Sequence, residues 1–196
     1  MLKVRTAVLV SGGGTNLQAL IDASSEGRMP SAELVLVVSN KGSAYALERA
    51  KNAGIKAVYI KNDPDFENGL IKLLEEERIE LIVLAGFLRI LSADFINRFE
   101  GRIINVHPSL IPSFCGKGFY GLKVHEAALA RGVKVTGATV HIVTAEADAG
   151  PILLQKAVEI QDGDTPETLQ KRVMVEAEWK LLPRACEMLA NKIRNS

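Results

Sequence analysis

Three separated stretches carry residues suited to chemistry on a small phosphorylated molecule. The first is Ser11-Gly12-Gly13-Gly14-Thr15-Asn16, which follows an apolar run and leads into a helical pattern. Glycines let the backbone approach a ligand closely, and the free N–H groups at a helix start favour an anion, so a phosphate is the natural guest. The second is Asn105-Val106-His107-Pro108. On a strand, Asn105 and His107 point to the same side. An amide can donate to a developing oxyanion, and an imidazole can shuttle a proton. The third is Asp148, in the turn between residues 144 and 151. A carboxylate beside an imidazole favours the charged ring and fixes its tautomer, which makes Asp148 the candidate partner for His107. An Asx-type turn before Gly150-Pro151 is the plainer reading of the same residue.

Other chemistries fit less well. A dinucleotide fingerprint wants a third glycine where Leu17 stands and an acidic residue where Ser39-Asn40-Lys41 ends the second strand. An NAD site is therefore disfavoured, and an NADP-linked reductase stays a minor option through Lys41. No Gly-Lys-Ser/Thr follows the glycine loop, so a P-loop is absent. His107, His125, His141 and a cysteine show no metal-ligand spacing, which argues against zinc. Nothing local activates Cys115 as a nucleophile. His125 reads as structural, and His141 alternates with Thr139 and Val143 on one strand face. The stretch Gly86-Phe87-Leu88-Arg89-Ile90-Leu91 could line a pocket for a flat ring, although core packing is the blander reading.

The elements that must position these residues alternate. Short apolar runs at Val4–Val10 and at residues 34–39, 56–60, 79–85 and 102–106 read as strands. Helical patterns fall at 16–25, 44–53, 92–98 and 121–130, and another opens at Asp63-Pro64 with Phe66, Leu70, Leu73 and Leu74 on its apolar face. This alternation predicts an α/β fold with a doubly wound, mostly parallel sheet. Residues 133–143 and 152–160 are joined by a short turn, which predicts an antiparallel extension. Thr165-Pro166 then opens a long C-terminal helix with Leu169, Val173, Ala177 and Leu181 on one face, kinked at Pro183. No internal repeat or linker interrupts residues 1–196, so a single domain is expected.

Composition narrows the function. The chain has 196 residues, with 24 Lys+Arg against 23 Asp+Glu and a net charge of +1. Such a balance gives no electrostatic footprint for nucleic acid or an anionic membrane. Two cysteines, Cys115 and Cys186, make no disulfide framework and point to a reducing compartment. With no apparent leader or membrane span, a cytoplasmic protein is expected.

Four motifs in order sharpen this reading: Ser11–Gln18 (Ser-Gly-Gly-Gly-Thr-Asn-Leu-Gln), Leu84–Leu91 (Leu-Ala-Gly-Phe-Leu-Arg-Ile-Leu), Asn105–Pro112 (Asn-Val-His-Pro-Ser-Leu-Ile-Pro) and Asp148-Ala149-Gly150-Pro151. Over essentially its whole length the chain resembles the folate-dependent phosphoribosylglycinamide formyltransferases of purine synthesis. The resemblance implies a Rossmann-like fold. It also implies transfer of the formyl group of 10-formyltetrahydrofolate to the amine of glycinamide ribonucleotide, with no metal and no nicotinamide cofactor. By that likeness Gly14, Thr15 and Asn16 hold the substrate phosphate, and Glu178 contacts the ribose, with Glu176 as the alternative. Arg89, Ile90, Leu91 and Asn105 border the folate. Asn105 and His107 stabilise the oxyanion, with His107 as proton donor and Asp148 as its partner. The likeness implies small-molecule partners only, with a homodimer as one option for assembly.

Departures from the family pattern are Ala149 where glycine is common, no basic residue near 63–66, and one extra residue in the C-terminal helix. Methionyl-tRNA formyltransferases usually have alanine where Pro108 stands and carry a further tRNA-binding domain. Formyltetrahydrofolate hydrolases usually carry an N-terminal regulatory domain. The chain length is expected to leave room for neither. A non-catalytic phospholigand-binding module explains the glycine loop but gives Asn105 and His107 no task. The glycine-rich segment 113–121 is expected to act as a mobile lid.

Overall fold

The computed structural model describes residues 2–195. Seven strands form one sheet in the order β3-β2-β1-β4-β5-β6-β7. Strands β1 (Val4–Val10), β2 (Ala32–Ser39), β3 (Lys56–Tyr59), β4 (Leu81–Leu84) and β5 (Ile103–His107) pair in parallel. Strand β6 (Val135–Ile142) is antiparallel to β7 (Ile152–Glu159), as the short connection predicted, and it is antiparallel to β5 as well, although a helix separates those two strands along the chain. Helices α1 (Thr15–Ser25), α2 (Tyr45–Asn52), α3 (Phe66–Glu76), α4 (Ala93–Arg98), α5 (Leu122–Arg131), α6 (Pro166–Val173) and α7 (Trp179–Arg194) complete the fold.

Strand alternation divides the core. Val8 and Val10 of β1 face a layer that includes Leu17 and Leu20 of α1, Ala46 and Ala50 of α2, and Leu182 and Ala185 of α7. Ala7 and Leu9 face the opposite layer, built from Phe66, Leu70 and Leu74 of α3 and Phe95 of α4. Both faces of the central strands are therefore apolar, as a doubly wound sheet requires. Strand order reverses at β1, which lies between β2 and β4. The crevice outside the carboxyl ends at such a switch point is where open sheets bind ligands. Here the loops after β1 and β4 are joined directly, with Ser11 N–H donating to the Gly86 carbonyl at 3.1 Å.

Two local expectations need correction. Helix α3 begins at Phe66 rather than at Asp63-Pro64. The Asp63 side chain accepts from Asp65 N–H at 3.1 Å and its carbonyl accepts from Phe66 N–H at 3.2 Å, so Asp-Pro closes a turn ahead of the helix. The C-terminal helix is not one helix. Residues Met174–Glu178 wind as a π turn between α6 and α7, and Pro183 lies buried inside α7, past the interruption. A strict four-residue apolar spacing drifts by about 40° per step on an α-helix, and the wider π turn takes back part of that drift. Leu169, Val173, Ala177 and Leu181 are accordingly all buried.

The turn from β6 to β7 depends on Gly150. A Cβ there would lie 1.9 Å from the Ile142 carbonyl oxygen, and that strand end is also fixed by Ile142 N–H donating to the Pro151 carbonyl at 2.9 Å. Gly150→Ala must push the turn away from the strand. It is expected to destabilise the fold by about 3 kcal/mol, the scale of a backbone clash, and to lower any activity that needs Asp148. Urea unfolding of both proteins measures this, and equal midpoints would contradict it.

Candidate active site

Register, not sequence proximity, assembles the first cluster. Asn105 of β5 lies opposite His141 of β6, and His107 lies opposite Thr139. Asn105 Nδ2 approaches His141 Nε2 at 3.3 Å. Nδ1 of His141 donates to the Ile142 carbonyl at 2.9 Å, and its Nε2 stands between the Asn105 amide and Asp148 Oδ1. The Asn105 amide nitrogen carries two N–H groups, of which His141 can take at most one. His107 is buried, and its Nε2 lies 2.9 Å from the Phe114 carbonyl. A carbonyl only accepts, so Nε2 carries a proton and Nδ1 is turned the other way.

Asp148 reaches both rings. Its Oδ2 lies 3.7 Å from His107 Nδ1, and its Oδ1 lies 3.5 Å from His141 Nε2. Gly116 N–H donates to Oδ2 at 2.8 Å. Burial alone would raise the Asp148 carboxyl. The His141 ring, the Gly116 N–H and the charges of His107 and His141 outweigh it and hold the group below the ordinary carboxylate range. Asp148 has a backbone φ of 56°, an uncommon conformation for a residue with a side chain. A doubly protonated His107 would have a donor for the Phe114 carbonyl and another for the Asp148 carboxylate. Segment 114–116 thus ties both residues from outside. Cys115 sits between these ties with its thiol pushed up by burial and by Asp148, which is the reverse of nucleophile activation.

The second cluster forms where α1 meets the π turn. Asn16 and Glu178 are buried, and Asn16 Nδ2 donates to Glu178 Oε2 at 2.7 Å. Burial pushes the Glu178 carboxyl up to about 7, against the opposing pull of the Asn16 bond. Asn16 Oδ1 has no partner. Glu176, the alternative from the sequence, is exposed. Gly14 caps α1 in the left-handed conformation at φ 73°, and a Cβ there would lie 2.6 Å from the Ala46 methyl. Only glycine fits that position.

Both clusters line one cavity of about 460 Å³, which Asn16, Asn105, His107, His125, Asp148 and Glu178 share. Gly14 and Thr15 lie outside this lining, and Thr15 faces a neighbouring cleft of about 330 Å³. His125 is fully buried with neither ring nitrogen bonded, and burial together with the charge of His107 pushes it down to about 4. It is therefore neutral near pH 7. An apolar slot of about 130 Å³ opens beside Asn105, lined by Leu84, Phe87, Ile90, Leu91, Ile96 and Val143 among others. Arg89 borders both spaces. Its guanidinium is tied to Asn62 Oδ1 at 2.5 Å and to the Asp63 carbonyl at 3.2 Å, and it stacks 4.6 Å over Phe66.

His141 is the residue that sequence reasoning left out of the site. Its signal lay in the alternation with Thr139 combined with an antiparallel β5–β6 pairing, whose register the sequence did not supply. Among the described residues, no group of three or more His, Cys, Asp or Glu could hold a metal ion. No helix among them is long and apolar enough to cross a membrane.

Comparison with known proteins places this architecture. The trifunctional purine biosynthetic protein adenosine-3 of Gallus gallus is 47% identical over 194 residues, covering 96% of this chain. The chain spans only 19% of that relative's length. The solved glycinamide ribonucleotide transformylase 1 of Symbiobacterium toebii is 40% identical with a TM-score of 0.89, covering 97% of this chain and 89% of that one. The phosphoribosylglycinamide formyltransferase structure from Brucella melitensis is 41% identical with a TM-score of 0.87, and 96% of each chain is covered. The sequence profile described as "Formyl transferase" matches residues 4–186, nearly the whole of the sheet and its helices, and the chain belongs to the formyl transferase family.

Proposed function

We propose that this protein transfers the formyl group of 10-formyltetrahydrofolate to the amine of glycinamide ribonucleotide, in the cytoplasm, with residues 1–196 acting as one catalytic unit. The observation that carries this reading is that two kinds of recognition share one cavity. Asn105, His107 and Asp148 stand at one end, and Asn16 and Glu178 stand at the other, next to the glycine loop. An acyl-transfer site needs oxyanion donors and a proton carrier, and a ribonucleotide needs a hydroxyl acceptor and an anion cradle. The neighbouring apolar slot suits a flat heterocycle, bordered by Arg89, Ile90 and Leu91.

The steps follow from the side chains. The folate co-substrate supplies an activated formyl carbon on nitrogen. As the substrate amine adds to that carbon, negative charge grows on the formyl oxygen. Asn105 meets it with the amide N–H that His141 leaves free. His107 meets it with a proton on Nδ1, the nitrogen beside Asp148, because the Phe114 carbonyl already takes Nε2. Asp148 stays ionised and balances the imidazolium. The same proton can pass to the departing folate nitrogen, and the Asp148–His107 pair then recovers it from the amine. Glu178 accepts from the ribose hydroxyls, while Gly14, Thr15 and Asn16 receive the phosphate at the start of α1.

The direct test is formyl transfer between these two substrates. His107→Ala is expected to lower kcat by about 10² to 10⁴, the usual worth of a positioned general acid. Thermal unfolding should remain near that of the parent. Activity within a few-fold of the parent would overturn the assignment.

Glu178 gives a pH-dependent signature. Its folded-state value of about 7 lies above the ordinary 4.5, so the folded protein binds this proton more tightly than the unfolded chain does. The associated stability is complete below about pH 4.5 and is lost as pH rises to about 7. Glu178→Gln removes that dependence. The variant should match the parent near pH 5 and exceed its stability by about 3 kcal/mol above pH 8, while its KM for the ribonucleotide rises. Chemical denaturation across pH 5–8.5 measures the gap, and a gap independent of pH would refute the buried-carboxylate account.

A further inference from the structure

The phosphate subsite proposed above rests on backbone N–H groups, and a peptide loop of three glycines has no stiffness of its own. Something must aim it. In the structure the aiming comes from α2. Ala46 N–H donates to the Gly12 carbonyl at 3.1 Å, and Arg49 Nε donates to the Gly13 carbonyl at 2.8 Å. A peptide unit is planar and trans, so its N–H points opposite to its C=O. With both carbonyls turned onto α2, the N–H groups of Gly13 and Gly14 point away from it. Neither donates to any acceptor among the described residues. They stand just ahead of the first turn of α1, whose first internal bond is Gln18 N–H to the Gly14 carbonyl.

Arg49 is itself held in place. Its Nη1 donates to Gln18 Oε1 at 2.9 Å, and its guanidinium stacks 5.0 Å over the Tyr45 ring. All of its bonded partners are neutral, and it makes no ion pair with any described residue. The other arginine of the cleft it lines with Thr15 differs: Arg28 is paired with Glu26 at 2.6 Å. Arg49 is therefore a fixed cation with no direct ion-pair partner among the described residues, in a cleft that Asp22 and Glu26 also line.

We propose that Arg49 is the positioning residue of the phosphate subsite. It turns the Gly13–Gly14 peptide so that the Gly14 N–H meets the substrate phosphate, and it adds a positive charge without a direct ion-pair partner behind that loop. This rests on the formyl-transfer reading above and extends it to a residue outside the reacting centre. A guanidinium fits the task because its fork bonds the Gly13 carbonyl and the Gln18 amide together, which a lysine ammonium cannot reproduce in the same plane.

The test compares the parent, Arg49→Lys and Arg49→Ala on glycinamide ribonucleotide and on its dephosphorylated nucleoside. Arg49→Ala should raise KM for the ribonucleotide about 10- to 100-fold with kcat within a few-fold, as expected for a lost charge-assisted contact. Its kcat/KM on the nucleoside should be unchanged. Arg49→Lys should recover less than half of the loss on a logarithmic scale. Calorimetric titration with inorganic phosphate reads the loop without turnover and should rank the three proteins in the same order. An unchanged ribonucleotide KM, an equal loss on both substrates, or full recovery with lysine would each overturn the role given to Arg49. A parent that binds phosphate but does not transfer formyl would sink the functional reading alone, and the phosphate ranking would still decide the role of Arg49.

Discussion

A carboxylate removed from water must be paired, and in this fold the carboxylate of Asp148 is the charge that most of the site is arranged around. It has three partners: two imidazoles from neighbouring antiparallel strands and one backbone N–H from the loop after β5. Each partner constrains a different part of the chain. The imidazoles require the β5–β6 register that sets Asn105 opposite His141. The N–H requires segment 114–116 to lie across the strand ends. The turn that delivers Asp148 requires a left-handed backbone at that residue and no side chain at Gly150.

The two ends of the cavity use opposite electrostatic strategies. At one end the Gly116 N–H and the two neighbouring imidazoles hold the Asp148 carboxyl below the ordinary carboxylate range. At the other, Glu178 is buried with a single amide donor and holds its proton to about pH 7. Two carboxyls in one cavity are thereby separated in protonation by their surroundings alone. In the proposed reaction, one of them balances the His107 imidazolium while the other awaits the ribose hydroxyls. His125 completes the pattern: a buried ring beside His107, it stays neutral near pH 7.

The scaffold supplies these differences cheaply. A doubly wound sheet brings loop ends together at the strand-order reversal, where the β1 and β4 loops are joined by Ser11 and Gly86. An antiparallel addition at β6 then brings a strand whose side chains point into the same crevice. The π turn before α7 ends on Glu178, which accepts from Asn16 at the start of α1.

Much of this was legible in the residues. Alternating apolar runs specify a parallel sheet because both faces must be buried, and the short link between β6 and β7 leaves only an antiparallel pairing. The glycine loop and Asn105-Val106-His107 could be read as chemistry because residue type and local geometry suffice for that. Three things were decided only in three dimensions. His141 entered the site through strand register, which depends on how two distant segments pack. Glu178 was distinguished from Glu176 by the π turn, a response to core spacing along a helix. Arg49 became relevant because α2 lies against the glycine loop. Sequence alone determined which groups were present and which local conformations they could adopt. Tertiary structure decided which charges share a low-dielectric space, because proximity and burial, the two quantities that set their protonation, are properties of packing between segments.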